Sequence, residues 1–181
     1  YVVTPAGAPG KVTVRVENPD GELTGSNIVF TYISTPKITA AVDPADPGGH
    51  IRISVISVEG GQDIKLKGSG FMNGVKVVFN PAVKKVNDVS AVQGQVIYID
   101  GQPYTLESGK DGTSVKIIDG ETLVVTTPQG KTGTSGILVI NPDGGASNIY
   151  GDLTYGLPAL NPPTGVQAEL VYGRYIKVHW N

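Results

Sequence analysis

Short runs of alternating apolar and polar residues recur along this chain of 181 residues. In residues 11–17, three valines alternate with charged or polar side chains, which places the valines on one face of a strand and the charges in water. The sequence Asn-Pro-Asp-Gly at 18–21 then reverses the chain, and residues 28–32 follow as a second apolar run. This pattern predicts an antiparallel hairpin with one solvated face.

The same pattern continues downstream. Strands are predicted at 50–56, 63–66, 75–79, 96–99, 104–106, 115–118 and 123–126. Asn80-Pro81 is predicted to end one strand, and the Asp-Gly pairs at 100–101 and 119–120 predict tight hairpin turns. Residues 82–91 are the one candidate for a helical turn, and we predict a loop there. Together these elements predict an all-β protein, a β-sandwich of about seven to nine strands.

A repeat with a constant offset of 123 residues organises the chain. Thr4-Pro5, Asn18-Pro19-Asp20-Gly21 and Thr31-Tyr32 recur as Thr127-Pro128, Asn141-Pro142-Asp143-Gly144 and Thr154-Tyr155. The unit boundary falls near Pro36 and its counterpart Pro158. We therefore predict the C-terminal part of one unit at 1–35 and a complete unit at 36–158.

The character of the chain changes after Tyr155. Residues 157–163 are rich in proline and poor in charge, as in a stiff linker. Two strands are predicted beyond it, at 166–170 and 175–180, with Ile176, Val178 and Trp180 facing inward. Residues 159–181 are therefore predicted to be a linker and the start of another domain.

Composition and charge narrow the possible functions. Val, Ile and Thr dominate, and 25 glycines and 13 prolines imply frequent turns. With 14 Lys and Arg against 16 Asp and Glu, no basic excess is available to neutralise phosphates, so we expect no nucleic acid partner. The apolar runs are too short to span a bilayer, so we expect no direct membrane insertion.

The chain contains no cysteine, which excludes disulfides, thiolate metal sites and cysteine nucleophiles. Extracellular modules of animals usually carry disulfides, so an extracellular location would favour a bacterial source. Tyr1 opens without an initiator Met or a signal sequence, and we expect the chain to be a piece of a longer protein.

Nucleophilic catalysis is not predicted. His50 and His179 are the two histidines, and they fall in different predicted domains, which leaves Ser and Thr without an adjacent base. We expect both histidines at exposed or loop positions. The glycine-rich run at 68–74 lacks the spacing and the following helix of a dinucleotide loop, and is predicted to be a turn between strands.

Two carboxylate pairs are candidates for acid and base catalysis, Asp43 with Asp46 and Asp111 with Asp119. Pro or Gly flanks each of them, which favours turn roles. Calcium bridging such turn carboxylates is an alternative, although no EF-hand spacing is present. We therefore predict no catalytic residue, no cofactor and no metal site, and a protein that is not an enzyme.

Tyr98 and Tyr104 flank the predicted turn at 100–101 and are the candidate ligand-binding residues. An exposed aromatic pair there would suit stacking against sugar rings. The alternative is that both rings pack the hairpin that carries them.

The complete unit resembles an IPT/TIG domain, an early-set immunoglobulin-like fold. The motifs that carry the resemblance are Pro44, Gly60-Gly61-Gln62, Gly68-Ser69-Gly70-Phe71, Val77-Val78-Phe79, Thr127-Pro128, Asn141-Pro142-Asp143-Gly144 and Thr154-Tyr155. The unit is longer than is common in the family, with additions at 83–112 and 48–57. Residues 1–35 resemble the end of a second such domain.

The last segment is similar to the opening of a fibronectin type III domain, through Pro162-Pro163-Thr164-Gly165-Val166 and a Trp on the second strand. Tandem modules of these kinds resemble those of bacterial surface proteins and of secreted polysaccharide-processing enzymes. The resemblance implies a non-catalytic spacer, with adhesion or binding to a protein or polysaccharide at the cell surface. The alternative is an accessory region, carbohydrate-binding or spacer, of a secreted polysaccharide-processing enzyme.

The two end segments are each predicted to expose apolar residues. Residues 1–35 lack the strands that would cover Val12, Val14 and Val16, and 166–180 form only part of a sandwich. We expect these segments to associate with each other or with a neighbouring molecule.

Overall fold

The computed structural model describes residues 3–23, 28–157, 167–171 and 175–179. Strands dominate them, and a 3₁₀ turn at Val89–Ala91 is the helical element among these residues. In chain order the strands are β1 (Gly10–Val14), β2 (Ile28–Tyr32), β3 (Lys37–Val42), β4 (Val55–Ser57), β5 (Asp63–Ser69), β6 (Lys76–Lys85), β7 (Val96–Ile99), β8 (Gln102–Asp111), β9 (Thr113–Asp119), β10 (Thr122–Thr126), β11 (Gly133–Ile140), β12 (Gly145–Ala146), β13 (Tyr150–Gly156), β14 (Gln167–Val171) and β15 (Tyr175–His179).

Two sheets pack face to face around one apolar core. The smaller sheet has the order β3-β5-β10-β9, and the larger has the order β12-β7-β8-β6-β11-β13-β4. Alternate residues point inward from each sheet, and the fully buried side chains between them include Ile64, Leu66, Leu123, Val125, Val77, Phe79, Ile137, Val139, Leu153 and Tyr155. The predicted all-β sandwich is confirmed.

The additional residues predicted at 83–112 build a second, smaller core. Strands β6, β8, β7, β12 and β11 pair in sequence, and β11 pairs again with β6, so these five strands close into a ring. Its interior holds Val78, Ile97, Leu138, Ile140 and Ala146, all buried. The β6–β11 pair therefore buries apolar side chains on both of its faces.

One predicted strand end is wrong. Strand β6 does not stop at Asn80-Pro81 but continues to Lys85, so the prediction of loop at 82–91 is wrong for its first residues. A bulge makes this possible, since the pairing with β8 shifts register between Phe79 and Ala82 and Asn80 takes a left-handed conformation with φ 49°. Because Pro has no N–H to donate, an unpaired bulge position accommodates it inside a paired strand.

The other local predictions have mixed outcomes. The turn at Asp100-Gly101 is confirmed, and these two residues adopt the positive φ angles, 48° and 74°, that a two-residue hairpin loop with inverted handedness requires. The turn predicted at Asp119-Gly120 forms one residue later, at Gly120-Glu121, because Asp119 is still part of β9 and pairs with Thr122. The strand predicted at 50–56 forms only at its end, as β4, with a single bridge joining Arg52 to Val42. The Asp46 turn described below holds the first part of that segment out of regular pairing.

The first hairpin, β1 with β2, repeats the geometry of β11 with β13. The equivalent pairs are Gly10 with Tyr32 and Gly133 with Tyr155, then Val12 with Phe30 and Ser135 with Leu153. Each unit also ends with a tyrosine whose hydroxyl donates to a proline carbonyl, Tyr32 to Pro5 at 2.6 Å and Tyr155 to Pro128 at 2.9 Å. The offset of 123 residues thus extends to the register of the first three pairs of each hairpin and to the tyrosine hydrogen bond. Beyond Ser135 the registers differ, since Val14 pairs with Ile28 whereas Ile137 pairs with Tyr150, one residue before the equivalent Gly151.

The two hairpins differ in what covers them. Ile137 and Val139 are fully buried, whereas their counterparts Val14 and Val16 are 41% and 53% exposed. In the last part of the chain, β14 and β15 pair as an antiparallel hairpin, in which Ile176 and Val178 are 71% and 47% exposed. That these two side chains face the inside of a further domain stays a prediction. The boundary at Pro158, the linker to 166, and Trp180 lie outside the described residues. The predicted division into 1–35, 36–158 and 159–181 stays a prediction.

Leu138→Ala tests the second core. The leucine is fully buried inside the five-stranded ring, so its truncation is expected to lower the free energy of unfolding by about 2–5 kcal/mol. Ile118→Ala, at a position that is 53% exposed, is the matched control and should change it by less than about 0.5 kcal/mol. Urea unfolding of the two variants measures both values, and equal small effects would contradict the closed ring.

Candidate functional site

The short connection between β2 and β3 is held by a cluster of hydrogen bonds, and we call residues 33–36 the joint. Both the backbone N–H and the hydroxyl of Ser34 donate to the carboxylate of Asp143, at 2.7 and 2.8 Å. Ser34 is 4% exposed, so water competes little for these bonds. Hydrogen bonds to an ionised group are about twice as strong as neutral ones, which makes this carboxylate an effective anchor for the joint.

Asn141 connects the joint to the rest of the sandwich. Its amide nitrogen donates to the hydroxyl of Ser34 at 2.8 Å and to the carbonyl of Gly70 at 2.7 Å. Its amide oxygen accepts the N–H of Met72 at 3.1 Å. All of these polar groups are therefore satisfied around a side chain that is 1% exposed.

The Asn-Pro-Asp-Gly turn presents these side chains, and a glycine beside it admits the joint. A Cβ added at Gly145 would collide with the carbonyl and hydroxyl oxygens of Ser34. The turn of the first hairpin has the same local bond, since Asp20 accepts the N–H of Glu22 as Asp143 accepts that of Gly145. However, the first turn has Glu22 at the position of Gly145, where only glycine lets the backbone of a serine approach. Among the described residues, the contact with Ser34 is therefore made by the second turn alone.

The sequence motifs predict the turn but not its contact with Ser34. The repeat marked Asn141 and Asp143 as turn residues, and nothing in the spacing connects them to a serine more than a hundred positions earlier. The usable signal was the difference between copies, Gly144-Gly145 in the second and Gly21-Glu22 in the first. A glycine that one copy has and the other lacks indicates a close backbone approach.

A cleft of about 460 Å³ lies beside the joint. Its walls come from the first hairpin, from residues 33–35 and from the tip of the β7–β8 hairpin, and include Phe30, Tyr32 and Tyr98 with the side chain of Thr4. The predicted additional segment therefore reaches the connection between the first hairpin and the sandwich. The cleft combines aromatic rings with hydroxyl groups, a lining suited to a neutral, hydroxylated ligand.

The two candidate tyrosines are not brought together. In the β7–β8 ladder Tyr104 lies opposite Ile97, while Tyr98 lies opposite Pro103, so the two rings point to opposite faces of the hairpin. Tyr104 packs against the core of the five-stranded ring. Tyr98 faces the cleft at the joint. The two tyrosines are separated because they belong to adjacent pairs of the ladder. Ligand binding at Tyr98 stays a prediction.

The candidate carboxylates all have structural partners. Asp43 accepts the N–H of Ala45 at 2.8 Å, and Asp119 accepts that of Glu121 at 2.8 Å. Asp111 forms an ion pair with Lys76 at 3.1 Å, with both side chains about half exposed. Asp111 precedes the seven-residue strand β9 and Asp119 ends it, which separates the two carboxylates by roughly 20 Å, far more than the spacing of a glycosidase pair.

Asp46 organises the loop that contains His50. Its carboxylate accepts the backbone N–H groups of Gly48, His50 and Ile51, at 2.9, 2.5 and 2.7 Å. The bond from Ile51 is the largest cause that holds the pKa of Asp46 below 3.8, its ordinary value, with smaller contributions from the other two bonds and from the charge of His50. The arrangement is a turn, and His50 contributes its backbone to it. His179 lies at the end of β15.

Within residues 3–23, 28–157 and the described part of β14 and β15, no group of three or more His, Asp or Glu is placed to hold a metal ion. Helices of membrane-spanning length and apolarity are also absent from the described residues.

The two packed sheets form a β-sandwich, and the hydroxyl of Tyr155 donates to the carbonyl of Pro128. Together these features define an immunoglobulin-like β-sandwich module. The family model described as IPT/TIG domain matches residues 50–155, more than half of the chain. The chain therefore belongs to the IPT/TIG family, as the motifs predicted. IPT/TIG domains are generally non-catalytic modules that often mediate protein interactions or act as spacers.

The solution structure of the TIG domain from human nuclear factor of activated T-cells, cytoplasmic 4, has 22% sequence identity and a TM-score of 0.42, and the match covers 70% of this chain and 90% of that chain. No curated protein matches the chain.

The Asp46 turn predicts a pH dependence. Because the folded pKa is lowered, the ionised carboxylate stabilises the fold above the unfolded value near 3.8, and this contribution is lost as the pH falls through the folded pKa. NMR titration of the Asp46 carboxyl carbon should give a midpoint below 3.8, and Asp46→Asn should flatten the loss of stability below about pH 4. A midpoint at or above 3.8 would contradict the turn as described.

Proposed function

We propose that this chain is a non-catalytic spacer segment of a bacterial surface or secreted multidomain protein. In this proposal residues 1–35 are the C-terminal part of one IPT/TIG unit, 36–158 are a complete unit, and 159–181 begin a fibronectin type III domain. The segment holds neighbouring modules at a fixed orientation and offers surfaces to a protein or polysaccharide partner outside the cell.

The observation that carries the proposal is the joint. A flexible tether would leave the connection between two modules solvated, but Ser34 is buried and bonded to Asp143 and Asn141. An unpaired buried donor costs about 1–3 kcal/mol, so bending at the joint is resisted by more than one such group. A spacer needs this property, because it sets a distance and a direction between modules.

Three features support the division into units. The register of the first three strand pairs, the tyrosine bond and the Asn-Pro-Asp-Gly turn all recur at the same offset in the first hairpin and in the second unit. The predicted module order then supports a place at the cell exterior, since arrays of these modules resemble bacterial surface proteins. The net charge of −2 supports a protein or polysaccharide partner rather than a nucleic acid.

A second candidate function is favoured by the cleft beside the joint. Tyr98 and Phe30 contribute rings to a space that threonine hydroxyls also line, and sugars are bound by stacking and by hydroxyl hydrogen bonds. The chain would then be an accessory carbohydrate-binding region of a secreted polysaccharide-processing enzyme.

Asp143→Ala tests the spacer function. Loss of the carboxylate leaves the Ser34 donors unpaired and should weaken the closed joint by about 1–3 kcal/mol. Because the chain contains no cysteine, spin labels can be placed at Thr13→Cys and Asp152→Cys alone. Pulsed dipolar distance measurements should give one narrow distribution in the parent and a clearly broader one in the variant.

Asp20→Ala is the matched control, because Asp20 has the same turn bond but no serine to hold. It should leave the distribution narrow. Gly145→Ala should broaden it without removing a charge, since the added methyl collides with Ser34, whereas Gly151→Ala meets open space. A broad distribution in the parent would refute the fixed orientation, and an unchanged narrow distribution in both joint variants would refute the role of the joint in holding it.

Tyr98→Ala tests the second candidate. Sedimentation with insoluble polysaccharides should show binding by the parent, loss of at least about tenfold in Tyr98→Ala, and retention in Tyr98→Phe, which keeps the ring. Failure of the parent to sediment with any polysaccharide would exclude the accessory role and leave the spacer.

A further inference from the structure

A second pocket, of about 350 Å³, lies beside the bulge in β6. Its walls are Asn80 of β6, residues 108–110 of β8, and residues 130–131, which precede β11. It shares no lining residue with the cleft at the joint, and its described walls contain no aromatic ring. Two of the lining residues are lysines, so this pocket presents positive charge where the cleft presents aromatic surface.

The first lysine, Lys110, is held in place by the sandwich. It lies opposite Phe79 in the β6–β8 ladder, so its side chain leaves the larger sheet on the side that faces the smaller one. Its ammonium donates to the carbonyl of Gln129 at 2.8 Å, in the connection between β10 and β11. An ammonium group has three protons to donate, so two remain for a ligand.

The second lysine, Lys131, follows a loop whose position is set by packing. A Cβ added at Gly130 would collide with the ring of Tyr155. The N–H of Gly130 also donates to the carbonyl of Val58 at 2.9 Å. The backbone that carries Lys131 is therefore fixed before any ligand arrives, which lowers the entropy cost of binding.

The first hairpin shows which part of this loop the fold requires. Gly130 corresponds to Gly7, where an added Cβ would collide with the ring of Tyr32, but Lys131 corresponds to Ala8. The glycine is structural, because the tyrosine contact needs it in both copies. Within the part of the chain that the structure describes, the ammonium of Lys131 makes no hydrogen bond or ion pair. This lysine is therefore available to a ligand.

The bulge places a neutral polar group in the same wall. Asn80 has a left-handed φ of 49°, a conformation that is found most often where a function requires it. A Cβ added at Gly109 would collide with Val78, so glycine is needed where β8 passes the bulge. Bulges often redirect a side chain next to a binding site. The amide of Asn80 and the hydroxyl of Ser108 have no hydrogen-bond partner among residues 3–23 and 28–157.

The lining defines the chemistry of a ligand. Two ammonium groups without a carboxylate partner among the described residues favour an anion, and hydrogen bonds to them are about twice as strong as neutral ones. The amide and the hydroxyl beside them suit hydroxyl groups on the same ligand. The volume is near the small end of the roughly 300–1,000 Å³ that ligand pockets span, which suits one sugar ring. A uronic acid, a sugar that carries a carboxylate, has all of these properties.

We propose that this pocket binds a uronic acid unit of an acidic polysaccharide. Lys110 and Lys131 bind its carboxylate, and Asn80 and Ser108 bind its hydroxyl groups. The inference rests on the proposed function for the polysaccharide partner, and it assigns that partner a site apart from the joint and from Tyr98. Because the net charge of the chain is −2, the protein as a whole does not attract polyanions. Binding should therefore be confined to the pocket and should saturate.

NMR titration of the full chain tests the site. The probes are trimers of galacturonate and of mannuronate, with maltotriose as the uncharged counterpart. At least one uronate trimer should shift the amides of residues 108–110 and 130–131, and maltotriose should not. Lys131→Ala should weaken this binding by at least about tenfold, since it removes a charge-assisted hydrogen bond. The fold should be unchanged, because Ala8 occupies the equivalent position of the first hairpin.

Two further variants make the result specific. Lys116→Ala removes the same charge from an exposed position on β9, outside the pocket, and should leave the affinity within about twofold of the parent. Asn80→Gly keeps the left-handed backbone and removes the amide, and it should weaken binding by about fivefold. Equal affinities in the parent, Lys131→Ala and Asn80→Gly would place the ligand elsewhere and overturn the proposal.

Other ligands are separate outcomes of the same titration. Acetate or inorganic phosphate that shifts these amides at the same concentration as the trimers would show a general anion site and contradict the sugar assignment. A triglutamate peptide with blocked ends that binds as tightly as the uronates would indicate an acidic protein partner instead. No shift with either uronate would exclude the site. Each of these failures leaves the spin-label distances at the joint unchanged, so the spacer function is tested separately.

Discussion

Strands β6 and β11 bury apolar side chains on both faces, and the rest of the structure depends on this requirement. Val77 and Phe79 face the smaller sheet, whereas Val78 and Leu138 face away from it. A sandwich of two sheets covers only the inner side of such a pair, and burying a valine or leucine side chain contributes about 1.5–3 kcal/mol. The added residues after Pro81 supply the outer cover by curling β7 and β8 around to β12. The insertion is thus a structural consequence of apolar residues at consecutive positions.

The same consecutive pattern explains how far the sequence predicts the fold. Alternation along 11–17 and the offset of 123 residues were enough to predict the first hairpin and its counterpart. The run Val77-Val78-Phe79 predicted a strand, but a period of two cannot show that both faces are buried. In sequence, Asn80-Pro81 resembles the end of a strand. It forms a bulge instead because β8 pairs with β6 on both sides of it. That partner is defined by tertiary structure.

The candidate site was harder to predict for a related reason. The sequence correctly predicted that Tyr98 and Tyr104 lie on one hairpin, but it does not give the strand register. In that register the two tyrosines belong to adjacent pairs, so their rings lie on opposite faces. The contact of Ser34 with Asp143 joins residues 109 positions apart, and neither has an unusual neighbourhood in sequence. Comparison of the two copies carries the missing information, because Gly145 and Glu22 differ at one equivalent position, and only the glycine permits the approach.

One turn links the two levels of this structure. Asn141 and Asp143 hold the joint, and the residues directly after them, Gly145 and Ala146, form the strand that closes the five-stranded ring. The N–H of Tyr98 donates to the carbonyl of Gly144, so the added hairpin is also attached to this turn. The joint therefore rests on a turn that is fixed from both sides by strand pairing. When a neighbouring module is anchored on such a turn, its orientation is fixed relative to the packed core. This is the physical basis for a spacer role.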